Sequence, residues 1–337
     1  MVAIKAIRAS NATFRSKSTP GMVAVFAGAT SGIGLGTLKA FIKNANAPKA
    51  YIIGRSESAA AALLEDLRRS NASATLIFLQ GELSLIKEVD RLCDEINSKE
   101  KKVDFIFLKS PEGIDIPQSL RYYSRLRFAY NLLPLLRPAP NPRVISILAG
   151  GKEKAIDLND LEVKQGFSMI KAAGNGTTQT TLAFEELAKS NPQISFIHKY
   201  PGFVNTGVVG RFMSSAKGIY AIPATFFRWV VLPILNLFAT SVEEAGERGL
   251  FLATSARYPS AESREGGQSG VELPAGVEIA ISSAIGENGG SNGVYRLEAD
   301  DESVPDGDIL PGYRKDNVGR VVWESTVGVW ERALERV

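Results

Sequence analysis

Residues Val23 to Leu35 read VAVFAGATSGIGL. Val23, Val25 and Phe26 make a short apolar run of strand-forming residues, Gly28, Gly32 and Gly34 break it, and the helix-forming run TLKAFIKNA follows at once. A strand, a glycine turn and a helix in that order form a cradle for phosphate. Glycines allow backbone angles and close approaches that a Cβ would block, and the helix start offers free N–H groups and the positive end of a dipole. The spacing Gly28-xxx-Gly32-x-Gly34 departs from the common dinucleotide fingerprint, which begins with two closely spaced glycines. An ordinary capping loop uses similar residues, so the rest of the chain decides the reading.

Outward from this stretch, apolar runs alternate with helical ones. AYIIG (50–54) is followed by AAAALLEDLRRS (59–70), ATLIFLQG (74–81) by SLIKEVDRLCDEINSK (84–99), and VDFIFL (103–108) by the long run PQSLRYYSRLRFAYNLLPLLRP (117–138). RVISILAGG (143–151), ISFIHKY (194–200) and GVYRLEA (293–299) complete the strand candidates. Ser241 and Glu244 stand at capping-box spacing at the head of SVEEAGERGLFLATSA, and VGRVVWESTVGVWERALERV closes the chain as an amphipathic helix. This βαβ rhythm predicts an α/β fold with a doubly wound, mostly parallel sheet in one domain over residues 21–337.

With 337 residues, 45% of them hydrophobic, the chain can bury a sizeable core. Its formal net charge of +3 is too mild to imply nucleic acid. The single cysteine, Cys93, lies in an amphipathic run; it excludes an intrachain disulfide and favours a reducing, cytoplasmic setting. The charge is uneven: residues 1–56 carry eight Lys and Arg and no acid. The first twenty residues are basic and Ser-bearing, as organellar transit segments are, but they lead directly into the first strand and read as an N-terminal arm. An organellar or peripheral membrane location stays as the alternative.

The glycine spacing, the alternation of elements and the loop Pro201-Gly202-Phe203-Val204-Asn205-Thr206 together resemble the short-chain dehydrogenase/reductase family over roughly residues 22–300. More loosely, the chain is similar to divergent reductases of fungal natural-product pathways. The resemblance implies a Rossmann fold and an NADP(H) cofactor. Gly28, Thr30, Ser31, Gly32, Ile33 and Gly34 would surround the pyrophosphate, although Ala27 stands where the family usually has Thr. Arg55 and Ser56 occupy the end of the second strand, where NAD enzymes place an acidic ribose ligand; a guanidinium there suits a 2′-phosphate. Glu82 in GELS is either an adenine contact or a helix cap. Pro201, Gly202, Val204 and Thr206 would meet the nicotinamide, and Lys171 its ribose.

The catalytic positions depart from the family. Ala149 stands where the catalytic Ser would be, and Phe167 replaces the Tyr of the Tyr-xxx-Lys pair while Lys171 remains. Four-residue spacing predicts that Phe167 and Lys171 share one helical face. The Asn-Ala-Gly turn is missing from Leu108–Gly113, and the active-site Asn position falls on Arg121 or beside Tyr122. Candidate substitute proton donors are Tyr122, Tyr123 and Tyr200, each with a competing packing role. Ser146 is discounted because its offset of three turns it to the other face of a strand. His198, the only histidine, reads as a packed strand residue, and without partner ligands no metal site is expected.

Residues 216–240 are the most apolar stretch. Arg228, Pro223 and Pro233 argue against a membrane anchor and for a lid over a small lipophilic substrate, with peripheral membrane contact and homo-oligomer formation left open. Three functions fit: an NADPH-linked reductase with a non-standard proton donor, a non-redox cyclase or isomerase on the same fold, and a cofactor-binding protein without catalysis.

Overall fold

The seven strand candidates of the sequence become the strands of one sheet. The computed structural model describes residues 1–108, 119–206, 239–263, 269–286 and 290–335. The strands are β1 (Val23–Ala27), β2 (Lys49–Gly54), β3 (Thr75–Gln80), β4 (Phe105–Leu108), β5 (Arg143–Ile147), β6 (Ser195–Lys199) and β7 (Val294–Leu297). They form a seven-stranded sheet in the order β3-β2-β1-β4-β5-β6-β7, and every pair is parallel. β1, β4, β5 and β6 are buried along their whole length; β1 and β4 accordingly run apolar rather than alternating, while β5 and β6 also bury Arg143, Ser146, His198 and Lys199. Strand order reverses between β1 and β4, so a crevice opens beyond the carboxyl ends of these two strands.

Helices cover both faces. α1 (Ile4–Lys17), α2 (Gly32–Asn44), α3 (Glu57–Ser70) and α7 (Val242–Thr254) pack on one side; α4 (Ile86–Lys99), α5 (Ser124–Leu136), α6 (Met169–Ser190) and α9 (Val318–Glu335) pack on the other, with the short α8 (Ile309–Lys315) leading into α9. α2 and α7 touch backbone to backbone. A Cβ on Gly246 would lie 2.3 Å from the main chain of Gly36, so both positions need glycine for the approach itself. α9 lays Val318, Val322 and Trp330 on the apolar face of the second layer, where Trp330 stacks with Tyr130 and carries the Arg127 guanidinium 5.1 Å above its ring.

Three expectations change. The first twenty residues are not a loose arm: α1 docks on α7, Asn11 Nδ2 donates to the Glu247 carbonyl at 3.0 Å, and Val2 N–H donates to the Asp300 carbonyl at 3.0 Å. The buried face of α1 is Ile7, Ser10, Asn11 and Phe14, and its two polar members hid the helical period. The helix carrying Lys171 is continuous from Met169 to Ser190 and begins after Phe167, with Ser168 as its N-cap. A π-helical turn, Ser119–Tyr123, precedes α5. Residues 109–113 and, apart from Ala239 and Thr240, the 216–240 segment lie outside the described residues. Among the described residues no helix is long and apolar enough to cross a membrane.

Candidate active site

β1 ends at Ala27, and Gly28 turns the chain with φ of +83°, a value that L side chains rarely adopt. Gly34, in the first turn of α2, comes back against this turn: a Cβ there would sit 2.5 Å from the Gly28 carbonyl oxygen. The helix start is left without a side-chain cap. Ser31 makes no capping bond, whereas Ser56, Ser168 and Ser241 cap α3, α6 and α7. Thr30 and Ser31 are exposed, Ile33 is buried, and Gly32 has a positive φ of 58°. The result is a glycine-lined turn at a helix start that no side chain caps, which fits a pyrophosphate.

On the adenine side, Arg55 is exposed at the end of β2, and its guanidinium has no partner among the described residues. Ser56 is committed elsewhere: its hydroxyl accepts the Ala59 N–H at 3.2 Å as the cap of α3. Glu82 is tied up locally, with Oε1 accepting from the Ser84 hydroxyl at 2.9 Å and N–H at 3.3 Å; it does not cap α4, whose N-cap is Leu85.

At the other end of the crevice, Pro201 and Gly202 follow β6, and Gly202 has a positive φ of 69°. Val204 bridges to Thr240, the Thr240 N–H donates to the Phe203 carbonyl at 3.0 Å, and the Thr206 N–H donates to the Val204 carbonyl at 2.8 Å. A cavity of about 10 Å³, room for about one water, is lined by Ile33 from α2, Ile147 from β5, and Pro201 and Thr240. The glycine turn and the Pro-Gly loop therefore border a common space.

The catalytic positions are arranged differently from expectation. Tyr122 and Tyr123 belong to the core under α9: the Tyr122 hydroxyl meets Thr326 Oγ1 at 2.6 Å, and Trp330 Nε1 donates to the Tyr123 carbonyl at 3.2 Å. Both rings are buried in this core, and burial pushes both phenols well above their ordinary range. Their adjacency at the π-helical turn turns both inward, which simple helical spacing does not anticipate. Tyr200 is different. It lies half-buried at the rim beyond β6, its hydroxyl has no hydrogen bond among the described residues, and the Lys152 ammonium sits 5.1 Å from its ring centre.

Phe167 is 54% exposed and sits outside the helix, so it shares no helical face with Lys171. Lys171 Nζ donates to the Gln165 carbonyl at 2.8 Å and pairs with Asp160 at 3.5 Å. Near the missing Asn, Arg125 from α5 reaches the strand ends, donating to Ser146 Oγ at 2.9 Å and to the carbonyls of Ile147 at 2.9 Å and Leu108 at 3.3 Å. Burial, aided by the Arg121 charge, pulls the Arg125 guanidinium down to about 9.

A buried polar chain that spacing did not reveal runs beneath Ala149. The Ala149 N–H donates to His198 Nε2 at 3.3 Å, His198 Nδ1 meets Thr181 Oγ1 at 2.9 Å, and the Thr181 hydroxyl donates to Glu153 Oε1 at 2.7 Å. Glu153 also pairs with Arg296 at 3.2 Å. Its members come from four places in the chain, and no local period links them. Burial depresses His198 from 6.5 to about 4 against the pull of Glu153, and burial of Glu153 is outweighed by its charged and hydroxyl neighbours, which hold it below the carboxylate range. The folded state thus keeps His198 neutral while the unfolded chain protonates it below 6.5. This contribution is complete above pH 6.5 and lost as pH falls toward 4, about 3 kcal/mol over that window. Urea unfolding at pH 7 and pH 4.5 should show that loss, and His198→Gln should remove much of it; equal losses in both chains would rule the ring out as its source.

No protein-family model matches the chain. It is 37% identical to an oxidoreductase of Emericella nidulans, with 100% of both chains covered. It is 29% identical to the short-chain dehydrogenase/reductase SAT2 of Stachybotrys chartarum, covering 97% of this chain and 96% of that one. In fold it is similar to L-sorbose reductase from Gluconobacter frateurii, solved with NADPH and L-sorbose: TM-score 0.52, 15% identity, 78% of this chain and 97% of the other. With these relatives and the doubly wound sheet, the chain belongs to the short-chain dehydrogenase/reductase family.

Proposed function

We propose that this chain is an NADPH-dependent oxidoreductase acting on a small lipophilic metabolite, with a proton source other than the family's tyrosine. The observation that carries the reading is the uncapped start of α2 behind the Gly28–Gly34 turn, with Arg55, exposed and without a partner among the described residues, at the end of β2. The names of the relatives, oxidoreductases among them, support it. When bound, the reduced nicotinamide supplies a hydride. The chain supplies the N–H groups of α2 to the pyrophosphate, the Arg55 guanidinium to the 2′-phosphate, and the Pro201–Thr206 loop to the nicotinamide end. Tyr200 is the remaining candidate donor at the rim.

NADPH is expected to bind about ten- to a hundredfold more tightly than NADH, because a charge-assisted contact contributes roughly 1.5–3 kcal/mol. Titration calorimetry with both cofactors checks this, and Arg55→Asp should erase the preference. Equal affinities in the unmodified protein would end the NADP reading. A second reading, non-redox cyclisation or isomerisation on the same fold, is favoured by the absence of a hydroxyl at both Ala149 and Phe167. Consumption of NADPH with ketones and enones separates the two.

A further inference from the structure

The polar chain under Ala149 has a single consistent direction. Ala149 N–H can only donate, so His198 Nε2 must accept; the Thr181 hydroxyl donates to the Glu153 carboxylate, so its oxygen accepts from Nδ1–H. His198 and Thr181 have no exposed surface, and the Glu153 side chain is 5% exposed. The turn above leaves no slack. A Cβ on Gly150 would lie 1.9 Å from the His198 carbonyl oxygen, the Leu148 N–H donates to the Lys199 carbonyl at 2.8 Å, and the Gly151 N–H donates to Glu153 at 3.1 Å. This turn follows Ile147, which shares the small cavity with Ile33 and Pro201, and His198 itself stands three residues before Pro201. The charged groups facing the ring are Glu153 from the loop after β5, Arg125 from α5 and Arg296 from β7.

We infer that His198 is a positioning residue for the nicotinamide half of the site: its ring, with the proton fixed on Nδ1, holds the Ala149–Gly150 turn in place as the wall of that half. The inference rests on the NADP(H) reading above. It assigns the ring no proton transfer, because both nitrogens are already bonded.

Two substitutions separate the two ends of the ring. Gln at 198 can place an amide oxygen where Nε2 accepts from Ala149, whereas Asn can keep only the Thr181 end. Binding of NADP⁺ is compared with that of adenosine 2′,5′-bisphosphate, which lacks the nicotinamide half. His198→Asn should weaken NADP⁺ about tenfold, the size of one lost hydrogen bond, while leaving the bisphosphate unchanged, and His198→Gln should stay near the unmodified protein. Equal losses in both variants, or parallel losses for both ligands, would overturn the inference.

Where either variant fails to fold, ¹⁵N-histidine NMR of the unmodified protein decides, since its single histidine gives one set of imidazole signals. The expected spectrum has Nδ1 protonated and Nε2 bare at pH 6.5, with Nε2 shifting on addition of NADP⁺ and not of the bisphosphate. The opposite tautomer, or an equal response to both ligands, overturns it. If the unmodified protein binds neither ligand, the NADP reading has failed; if it binds both and only the discrimination is missing, the positioning role alone has failed.

Discussion

Asp301→Asn is expected to destabilise the folded chain by about 3–5 kcal/mol, the usual cost of leaving buried charges without their partner. Asp301 has no exposed surface, and its carboxylate joins Lys199 at the end of β6 to Arg248 of α7. Lys199 is itself buried, and burial already pulls its ammonium below the ordinary lysine range. Arg248 keeps a second partner, Glu244 at 2.9 Å, so Lys199 loses most. Asn is the informative replacement because Asp301 has φ of +67°, a region that Asn tolerates, so the substitution removes charge without adding backbone strain. Urea unfolding should show a lower midpoint at an unchanged slope. A change below about 1 kcal/mol would show that the carboxylate is not what offsets these cations. The cluster stands beside the candidate site: Lys199 and Arg248 line the same small cavity as Ile33 and Pro201. It also reaches the chain start, since Arg248 donates to the Val2 carbonyl at 3.4 Å.

The sheet was legible because strands buried on both faces favour apolar runs, and β1 and β4 announce themselves as VAVFA and FIFL. The cradle was legible because its physical requirement, no side chain at Gly28 and Gly34, is written in the residues themselves. What escaped was everything decided by polar groups at long range. Ser10 and Asn11 turn inward and blur the period of α1. Tyr122 and Tyr123 read as core first and donors second, and only α9 covering them shows the packing. Phe167 keeps the family's spacing to Lys171, yet the Ser168 side chain accepts the Lys171 N–H at 3.1 Å and starts the helix after it. The chain through Glu153, Thr181, His198 and Arg296 spans residues 153 to 296, so only the fold brings it together.

The double substitution Phe167→Tyr with Ala149→Ser is expected to raise NADPH-linked reduction of simple ketones by roughly 10²–10⁴-fold. A ketone that accepts a hydride becomes an alkoxide, which needs a proton and hydrogen-bond donors as its charge develops. Neither a phenyl nor a methyl group provides them. A general acid is typically worth roughly 10²–10⁴ in rate and an oxyanion donor about 10²–10³, and the two do not add when they act as a unit. Each single substitution should therefore give a small part of the gain. Ala149 is half-buried beside the His198 chain and Phe167 is largely open, so both positions accept a hydroxyl without filling a packed core. Lys171 must also turn from Gln165 and Asp160 toward the new phenol, and Asp160→Asn added to the pair should raise the rate further by loosening that tie. Steady-state loss of NADPH absorbance with a panel of ketones measures all five chains, the unmodified protein included. If the double variant shows no gain, the two side chains do not meet the acceptor carbonyl in the way their positions imply. If the unmodified protein already reduces ketones briskly, these hydroxyls are dispensable and Tyr200 becomes the donor to test, with Tyr200→Phe expected to abolish that activity while leaving NADPH binding intact.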